Sequence, residues 1–225
     1  MERYSGIIPD YDSFLEYIER PLPVAARVNT VKAEVDEAVE AVENSGYEVE
    51  RLGWFDRGFR VEGDPDDVKL GNTLPHYLGW IQVQEEVSMV PPVALGADDG
   101  DVVLDTCAAP GGKTTHIADN VGEDGFVVAN DDNIGRIAAM RNNTDRLGLT
   151  NVGVTNYDAR RFPNQEFDAV LVDAPCSSEG TVRKLPQYLD GASEDEIEAV
   201  TGVQKGILSR ATELVADGGT VVYST

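Results

Sequence analysis

Cysteine is nearly absent from this 225-residue chain, which carries only Cys107 and Cys176. Two thiols make no disulfide scaffold. With only His76 and His116 beside them, no four-ligand zinc pattern can be assembled, and no metal site is expected. Long apolar runs are lacking as well. No stretch approaches the roughly 20 residues of a membrane span, and the opening MERYSGIIPDY has no signal-peptide apolar core. The chain therefore reads as soluble and cytoplasmic, with no membrane partner. Lysine is scarce, at 5 against 13 arginines, and 18 basic residues face 41 acidic ones for a net charge of −23. That balance counts against an ordinary nucleic-acid binder, which is locally basic. The acids are spread along the chain rather than gathered in a tail block. A cationic or uncharged partner fits such a surface. So does a halophilic cytosol, where repulsion is screened within about 3 Å at 1 M salt, and the low lysine content favours it. The thermal midpoint is expected to rise steadily into molar KCl; a melt indifferent to salt removes the halophile reading.

The chain does hold enough apolar residues, 41%, to build a sizeable core. Residues 1–75 read as a small α/β domain. Residues 25–30, 47–52 and 58–61 are strand-like, Val35, Ala38, Val39 and Val42 recur at helical spacing, and residues 63–65 form a turn. A helix is expected over 84–95, broken at Pro91-Pro92. From Asp101, within a second domain over 76–225, the pattern becomes regular. Strands over 102–105, 126–130, 152–155 and 169–173 alternate with helices over 111–120 and 133–147. Ser193 and Glu196 make a capping box, an apolar helix face follows at Ile207, Leu208, Ala211, Leu214 and Val215, and Gly218-Gly219 turns the chain into a last strand over 220–223. This alternation predicts a parallel, doubly wound sheet with its ligand at the carboxyl ends of the strands.

One stretch, LDTCAAPGGKTT from Leu104, looks built for phosphate. A P-loop reads G-x-x-x-x-G-K-[ST], and Gly112-Lys113-Thr114 supplies its tail. Five residues before Gly112, however, stands Cys107 in place of the opening glycine. An ATP site is disfavoured. The alternative is a Rossmann-like nucleoside site, in which an acidic residue about 20 positions past the glycine turn accepts ribose hydroxyls. Asp131 stands at that distance from Gly111, and Asp158 follows the next strand, in reach of an adenine amine. Asp131, Asp158 and Asp173 together suit a ligand with hydroxyls and positive charge, such as S-adenosylmethionine; singly, each also reads as a helix cap.

A second stretch, VDAPCSSEGTVRK from Val172, follows another apolar strand. In a doubly wound sheet the first and fourth strands are neighbours, so Cys107 and Cys176 open onto one crevice; a reducing cytosol argues against a bond between them. A thiol beside a methyl donor points to pyrimidine chemistry. A thiolate adding to C6 of cytosine makes C5 nucleophilic enough to take a methyl group. A carboxyl group near N3 assists that addition, and Asp173 is the candidate, with Lys113 holding it or the base.

These residues resemble a known family. Asp105-Thr106-Cys107-Ala108-Ala109-Pro110-Gly111-Gly112-Lys113-Thr114, Asp173-Ala174-Pro175-Cys176-Ser177, Val221-Val222-Tyr223-Ser224-Thr225, RVNTVK from Arg27 and QEEVSMVPP from Gln84 are similar to the Sun-domain RNA cytosine-5 methyltransferases. The resemblance implies a Rossmann-like S-adenosylmethionine-dependent methyltransferase fold with its last strands missing, behind a small N-terminal α/β domain of RNA-binding type. It implies the cofactor along Cys107, Ala108, Ala109, Pro110, Gly111, Gly112 and Lys113, with Asp131, Asp158 and Asp173 as carboxylate contacts and Arg136 nearby. Transfer RNA, then ribosomal RNA, is the implied substrate; apart from the resemblance, a monomer is expected, and the acidic, lysine-poor composition points to a halophilic archaeon as source.

In that family the attacking cysteine directly follows Tyr-Ser-Thr, a position beyond Thr225, while the counterpart of Cys176 assists release of product. A Pro-Cys resembling Pro175-Cys176 is the attacker in DNA cytosine-5 methyltransferases, but the Sun-type context is closer. The expectation is a truncated chain that binds cofactor and turns over little; a non-catalytic RNA-binding module of the same origin is the alternative. Arg160, Arg161, Arg183 and Lys184 are candidate phosphate contacts. Trp54, Phe55 and Phe59 read as core of the small domain ahead of base-stacking, and His116 as a helix-surface residue.

Overall fold

A computed structural model describes residues 4–63, 68–184 and 191–225. The chain folds into two compact units, one of residues 23–174 with 206–224 and one of residues 1–22 with 175–205 and 225. The turn expected at 63–65 lies partly outside the described residues.

The larger unit contains two sheets. In the first, β1 (Val24–Val28), β2 (Glu48–Arg51), β3 (Gly58–Glu62) and β4 (Ile81–Val83) are antiparallel in the order β2-β3-β1-β4. The α2 helix (Val35–Glu43) buries Ala38, Val39 and Val42 against Ala26, Val28, Phe59 and Ile81; each buried valine contributes about 1.5–3 kcal/mol. Ala25, on the other face of β1, packs with Leu52, Phe55 and Met89. Because β4, which follows the short α3 helix (Leu74–Tyr77), pairs with β1, this sheet runs past residue 75, where the sequence pattern suggested a boundary. Phe55 and Phe59 are core residues, whereas Trp54 is exposed and donates to Glu86 at 2.9 Å.

The second sheet is parallel throughout: β5 (Val102–Asp105), β6 (Phe126–Asn130), β7 (Val152–Thr155), β8 (Phe167–Asp173) and β9 (Val215–Ser224), in the order β7-β6-β5-β8-β9. It is packed by α4 (Glu86–Leu95), α5 (Gly112–Asn120) and α6 (Ile134–Leu147), and α7 (Glu194–Leu214) leads into β9. Leu95, Val103, Ile117, Val121, Val127 and Leu171 form its core. The chain moves outward from β5 through β6 to β7, then returns to the other side of β5 at β8. The carboxyl ends of β5 and β8 therefore flank the topological switch point, where open α/β sheets bind ligands.

Two local expectations are corrected. The α4 helix is not broken at Pro91-Pro92 but runs through both. Pro92 lacks the N–H that would bond the Ser88 carbonyl, and the Gln84 side chain donates to that carbonyl at 2.9 Å in its place. Gly218-Gly219 does not separate helix from strand; β9 begins at Val215 and absorbs the glycines as a register shift between Phe167 and Ala169 of β8. Gly218, at φ 87°, allows it.

In the smaller unit, α1 (Tyr11–Glu19) is capped by Asp10, which accepts from the Ser13 amide at 3.1 Å. Tyr4 donates to Glu179 at 2.8 Å, and Arg183 donates to the carbonyls of Arg20 and Pro21. The capping box is formed: Glu196 accepts from the amide and hydroxyl of Ser193, whose oxygen accepts from the Glu196 amide. No described helix is long and apolar enough to cross a membrane.

Candidate functional site

The loop between β5 and α5 leaves the sheet at Asp105 and is tied down on every side. The Ala108 amide donates to the Asn130 carbonyl at 2.8 Å, and the Ala109 amide to Asp131 at 3.1 Å. Asn143 on α6 donates to the Pro110 carbonyl at 3.0 Å, and Arg136 to the Ala109 carbonyl. Ala108, Ala109, Ala129, Ile137 and Met140 pack beneath it. At its turn Gly111 has φ 100°, and a Cβ there would meet Met140 Cγ at 3.0 Å, so both conformation and space call for glycine. Gly111 leads into α5 with no side-chain cap. The first-turn amides of that helix, which have no intrahelical acceptor, end at the switch point.

Carboxylates surround this loop. Asp105 is buried at the end of β5, accepting from the Thr114 hydroxyl at 2.7 Å and the Cys107 amide at 3.4 Å. Burial pushes its carboxyl up to about 7; the Thr114 bond holds it back and the charge of Asp173 adds to the rise. Asp131 is also buried, accepting from the Asn133 amide at 2.9 Å and pairing with Arg136 at 3.4 Å. Asp173, at the end of β8, is gripped from two sides: Lys113 Nζ lies 2.6 Å from one oxygen, and the Ser224 hydroxyl donates to the other at 2.8 Å. A positive charge in the first turn of a helix opposes the helix dipole, and this ion pair offsets that cost.

The larger unit thus gathers Cys107, Ala108, Ala109, Pro110, Gly111, Gly112, Lys113, Asp131, Arg136 and Asp173. Asp158 is the exception in kind. It caps the short turn at 159–161 through the Arg160 amide and pairs with the Arg160 side chain at 2.8 Å, which lowers its pKa. Arg160 is accordingly committed to Asp158. Cys176 belongs to the smaller unit, where it is exposed and accepts from the Ser178 amide at 3.3 Å. Both cysteines are free thiols. Burial, above all, pushes the Cys107 thiol up to about 12, away from the thiolate form that a nucleophile needs. The sequence pattern passed over Ser224, Asp105 and Thr114. Ser224 sits in the Tyr-Ser-Thr stretch, but only the β8–β9 register, which sets it beside Asp173, reveals its contact.

His116 is not a helix-surface residue. It is fully buried in α5 against Phe55, with ring centroids 4.9 Å apart, and neither ring nitrogen finds a protein partner. Burial, with Arg27 and Arg57 nearby, holds its pKa well below the usual value. The unfolded chain therefore binds this proton first, and stability falls as pH drops below about 6.5, by about 1.4 kcal/mol per pH unit. Asp105 has the opposite sign: with a native pKa near 7, its folded form takes the proton first, and stability rises as pH falls from 7 towards 3.8. Thermal melts between pH 6.5 and 5 should show Asp105→Asn losing stability more steeply than the parent on acidification, and His116→Leu gaining it. Equal slopes for all three would refute both assignments.

The sequence profile of 16S rRNA methyltransferase RsmB/F matches residues 92–225, more than half of the chain, and that of the N-terminal domain of 16S rRNA methyltransferase RsmF matches residues 1–86. The chain belongs to the RsmB/F family. Among RsmF relatives, the ribosomal RNA small subunit methyltransferase F of Vibrio vulnificus is 38% identical over 233 residues, covering 100% of this chain and 49% of its own length. That of Aeromonas hydrophila is 40% identical over 236 residues, covering 100% and 50%. The chain spans about half the length of the curated RsmF relatives it matches. A methyltransferase homolog protein from Pyrococcus horikoshii superposes with a TM-score of 0.85 at 34% identity, over 96% of this chain and 68% of its own. NSun6 from the same organism, solved with SFG, gives 0.87 at 22% identity, over 99% and 81%, and speaks for the fold alone.

Proposed function

We propose that the protein is an S-adenosylmethionine-dependent methyltransferase acting on C5 of cytosine in RNA. Small-subunit ribosomal RNA is the preferred substrate, because the similar proteins are named for it; transfer RNA comes second. The observation that carries the reading is the uncapped start of α5 behind the Gly111 turn, ringed by Asp105, Asp131 and Asp173. This donor set fits a nucleoside with hydroxyls and a positive charge. It does not fit a triphosphate, since Lys113 is already committed to Asp173.

S-adenosylmethionine bound there supplies an electrophilic methyl group. Asp131 is the carboxylate for ribose hydroxyls, with Arg136 steadying the Ala109 edge of the loop. Asp158 is the carboxylate nearest the adenine in this reading. Asp173, held by Lys113 and Ser224, is the carboxyl group assigned to cytosine N3, where it assists addition of a cysteine thiolate at C6. As the S–C6 bond forms, the C5=C6 π pair is displaced onto C5, which would take the methyl group as that group's bond to the sulfonium breaks. A base then removes the C5 proton, and the S–C6 bond breaks to return the thiolate. Exposed Cys176 fits the thiol that assists this release, and Cys107 lines the cofactor loop. RNA is the macromolecular partner of a cytoplasmic monomer.

Calorimetric titration of the 225-residue chain should show binding of S-adenosylmethionine and none of ATP. Bisulfite mapping of ribosomal RNA from cells with and without the gene should then reveal a missing 5-methylcytosine. Binding of ATP in preference to S-adenosylmethionine would end this reading.

A further inference from the structure

RVNTVK, the signature in the first sheet, is bound up with the second sheet's helices. Arg27 lies in mid-β1, opposite Gly58 and Gln82, with no exposed surface. Its guanidinium donates to Gln84 at 3.3 Å, to Asp119 at 3.4 Å and to the Thr115 hydroxyl at 2.9 Å. Thr115 and Asp119 are one helical turn apart on α5, so a single planar fork spans both. Asp119 is held besides by Thr30 at 2.6 Å and Arg57 at 3.1 Å. Further along the signature, Asn29 donates to the carbonyls of Gly79 and Leu147, and Lys32 to those of Leu78 and Arg146. The segment thereby grips α5, which opens at the loop, and the end of α6, whose Met140 backs Gly111.

We infer that Arg27 is a positioning residue for the cofactor loop, acting through the Thr115 hydroxyl on the Gly111 carbonyl. A hydroxyl has one proton to give. Because the Thr115 oxygen accepts from Arg27, its proton is directed away, onto the Gly111 carbonyl at 2.8 Å, nearer than the Gly112 carbonyl at 3.2 Å. Gly111 is the residue whose left-handed conformation sets the loop's turn. A charge buried only to join two sheets would be poorly chosen, since apolar residues of similar volume do that at least as well. What the fork adds is a fixed roll of α5, and with it the direction of the loop and of the first-turn amides. The inference rests on the cofactor reading above and names the residue, outside the loop, that sets its geometry.

The test uses the 225-residue chain with Thr115→Val, Thr115→Ser, Arg27→Lys and, as a surface control, Arg51→Lys. Three quantities are read: the Kd for S-adenosylmethionine, amide hydrogen exchange of the peptide over residues 107–113 without cofactor, and the thermal midpoint. Thr115→Val should weaken cofactor binding about tenfold and speed loop exchange by a similar factor, with exchange in β6 and β8 unchanged. Thr115→Ser, which keeps the hydroxyl, should restore both. Arg27→Lys should behave like Thr115→Val, because an ammonium cannot span Thr115 and Asp119 together. Parental affinity and loop exchange in Thr115→Val would overturn the inference, as would losses that merely follow the thermal midpoint across the set. Should the parent itself fail to bind S-adenosylmethionine, the cofactor reading falls, and the exchange comparison alone decides whether Arg27 sets the loop.

Discussion

Asp173→Asn is expected to lower kcat for RNA methylation, read on a form of the protein that carries the attacking cysteine, by about 10²–10⁴-fold, the usual worth of a positioned acid or base. The substitution keeps the volume and leaves one oxygen to accept from Ser224, so the β8–β9 edge should survive. What it removes is the anionic partner of Lys113 and the carboxyl group assigned to cytosine N3. Lys113→Met should cost a comparable factor, because the carboxylate then lacks its orienting cation, and the double variant should lose little more than either single one. Non-additivity of this kind marks residues that act as a unit. Rates within about threefold of the parent, below the range of acid–base assistance, would remove Asp173 from the chemistry.

Asp119→Asn is expected to cost about 3–5 kcal/mol of stability, the range for breaking a buried ion pair by removing one partner. Asp119 and Arg27 side chains are each 1% exposed, and Arg57 converges on the same carboxylate. Without that charge, the buried Arg27 guanidinium faces the partly exposed one of Arg57, and the Thr30 hydroxyl loses its anionic acceptor. For a protein of this size each kcal/mol moves the midpoint by roughly 2–4 °C, so a fall of about 6–20 °C is expected. A fall below about 2 °C would mean that water or neighbouring groups relieve the cluster. The prediction is separable from the positioning role of Arg27, since Thr115→Val leaves the ion pairs intact.

Much of the parallel sheet was legible in the chain. Residues 102–105, 126–130 and 152–155 read as strands and are strands at those bounds, because valine-rich runs between turn and helix signals mark strands locally. Asn133 caps α6 and Gly148 ends it in a left-handed conformation, as the local chemistry of those residues requires. The glycine turn after β5 and the aspartates at strand ends were legible for the same reason: special backbone positions and charged groups at strand mouths leave local marks.

Other features had no local mark. The three residues of β4 carry too short a pattern to be told from their surroundings, and pairing with β1 makes them a strand. Pro91 and Pro92 read as a helix break until a glutamine from outside the helix supplies the missing donor. Thr114, Thr115, His116 and Asp119 give α5 a polar cast, yet all four are buried, because one face of the helix meets a sheet that also buries an arginine. Local periodicity and turn chemistry determined which segments are strands and helices and where the loop bends. Which polar groups are buried, and what each one holds, was decided only when distant segments met, since a hydrogen bond across 88 residues of chain leaves no trace in the spacing of either end.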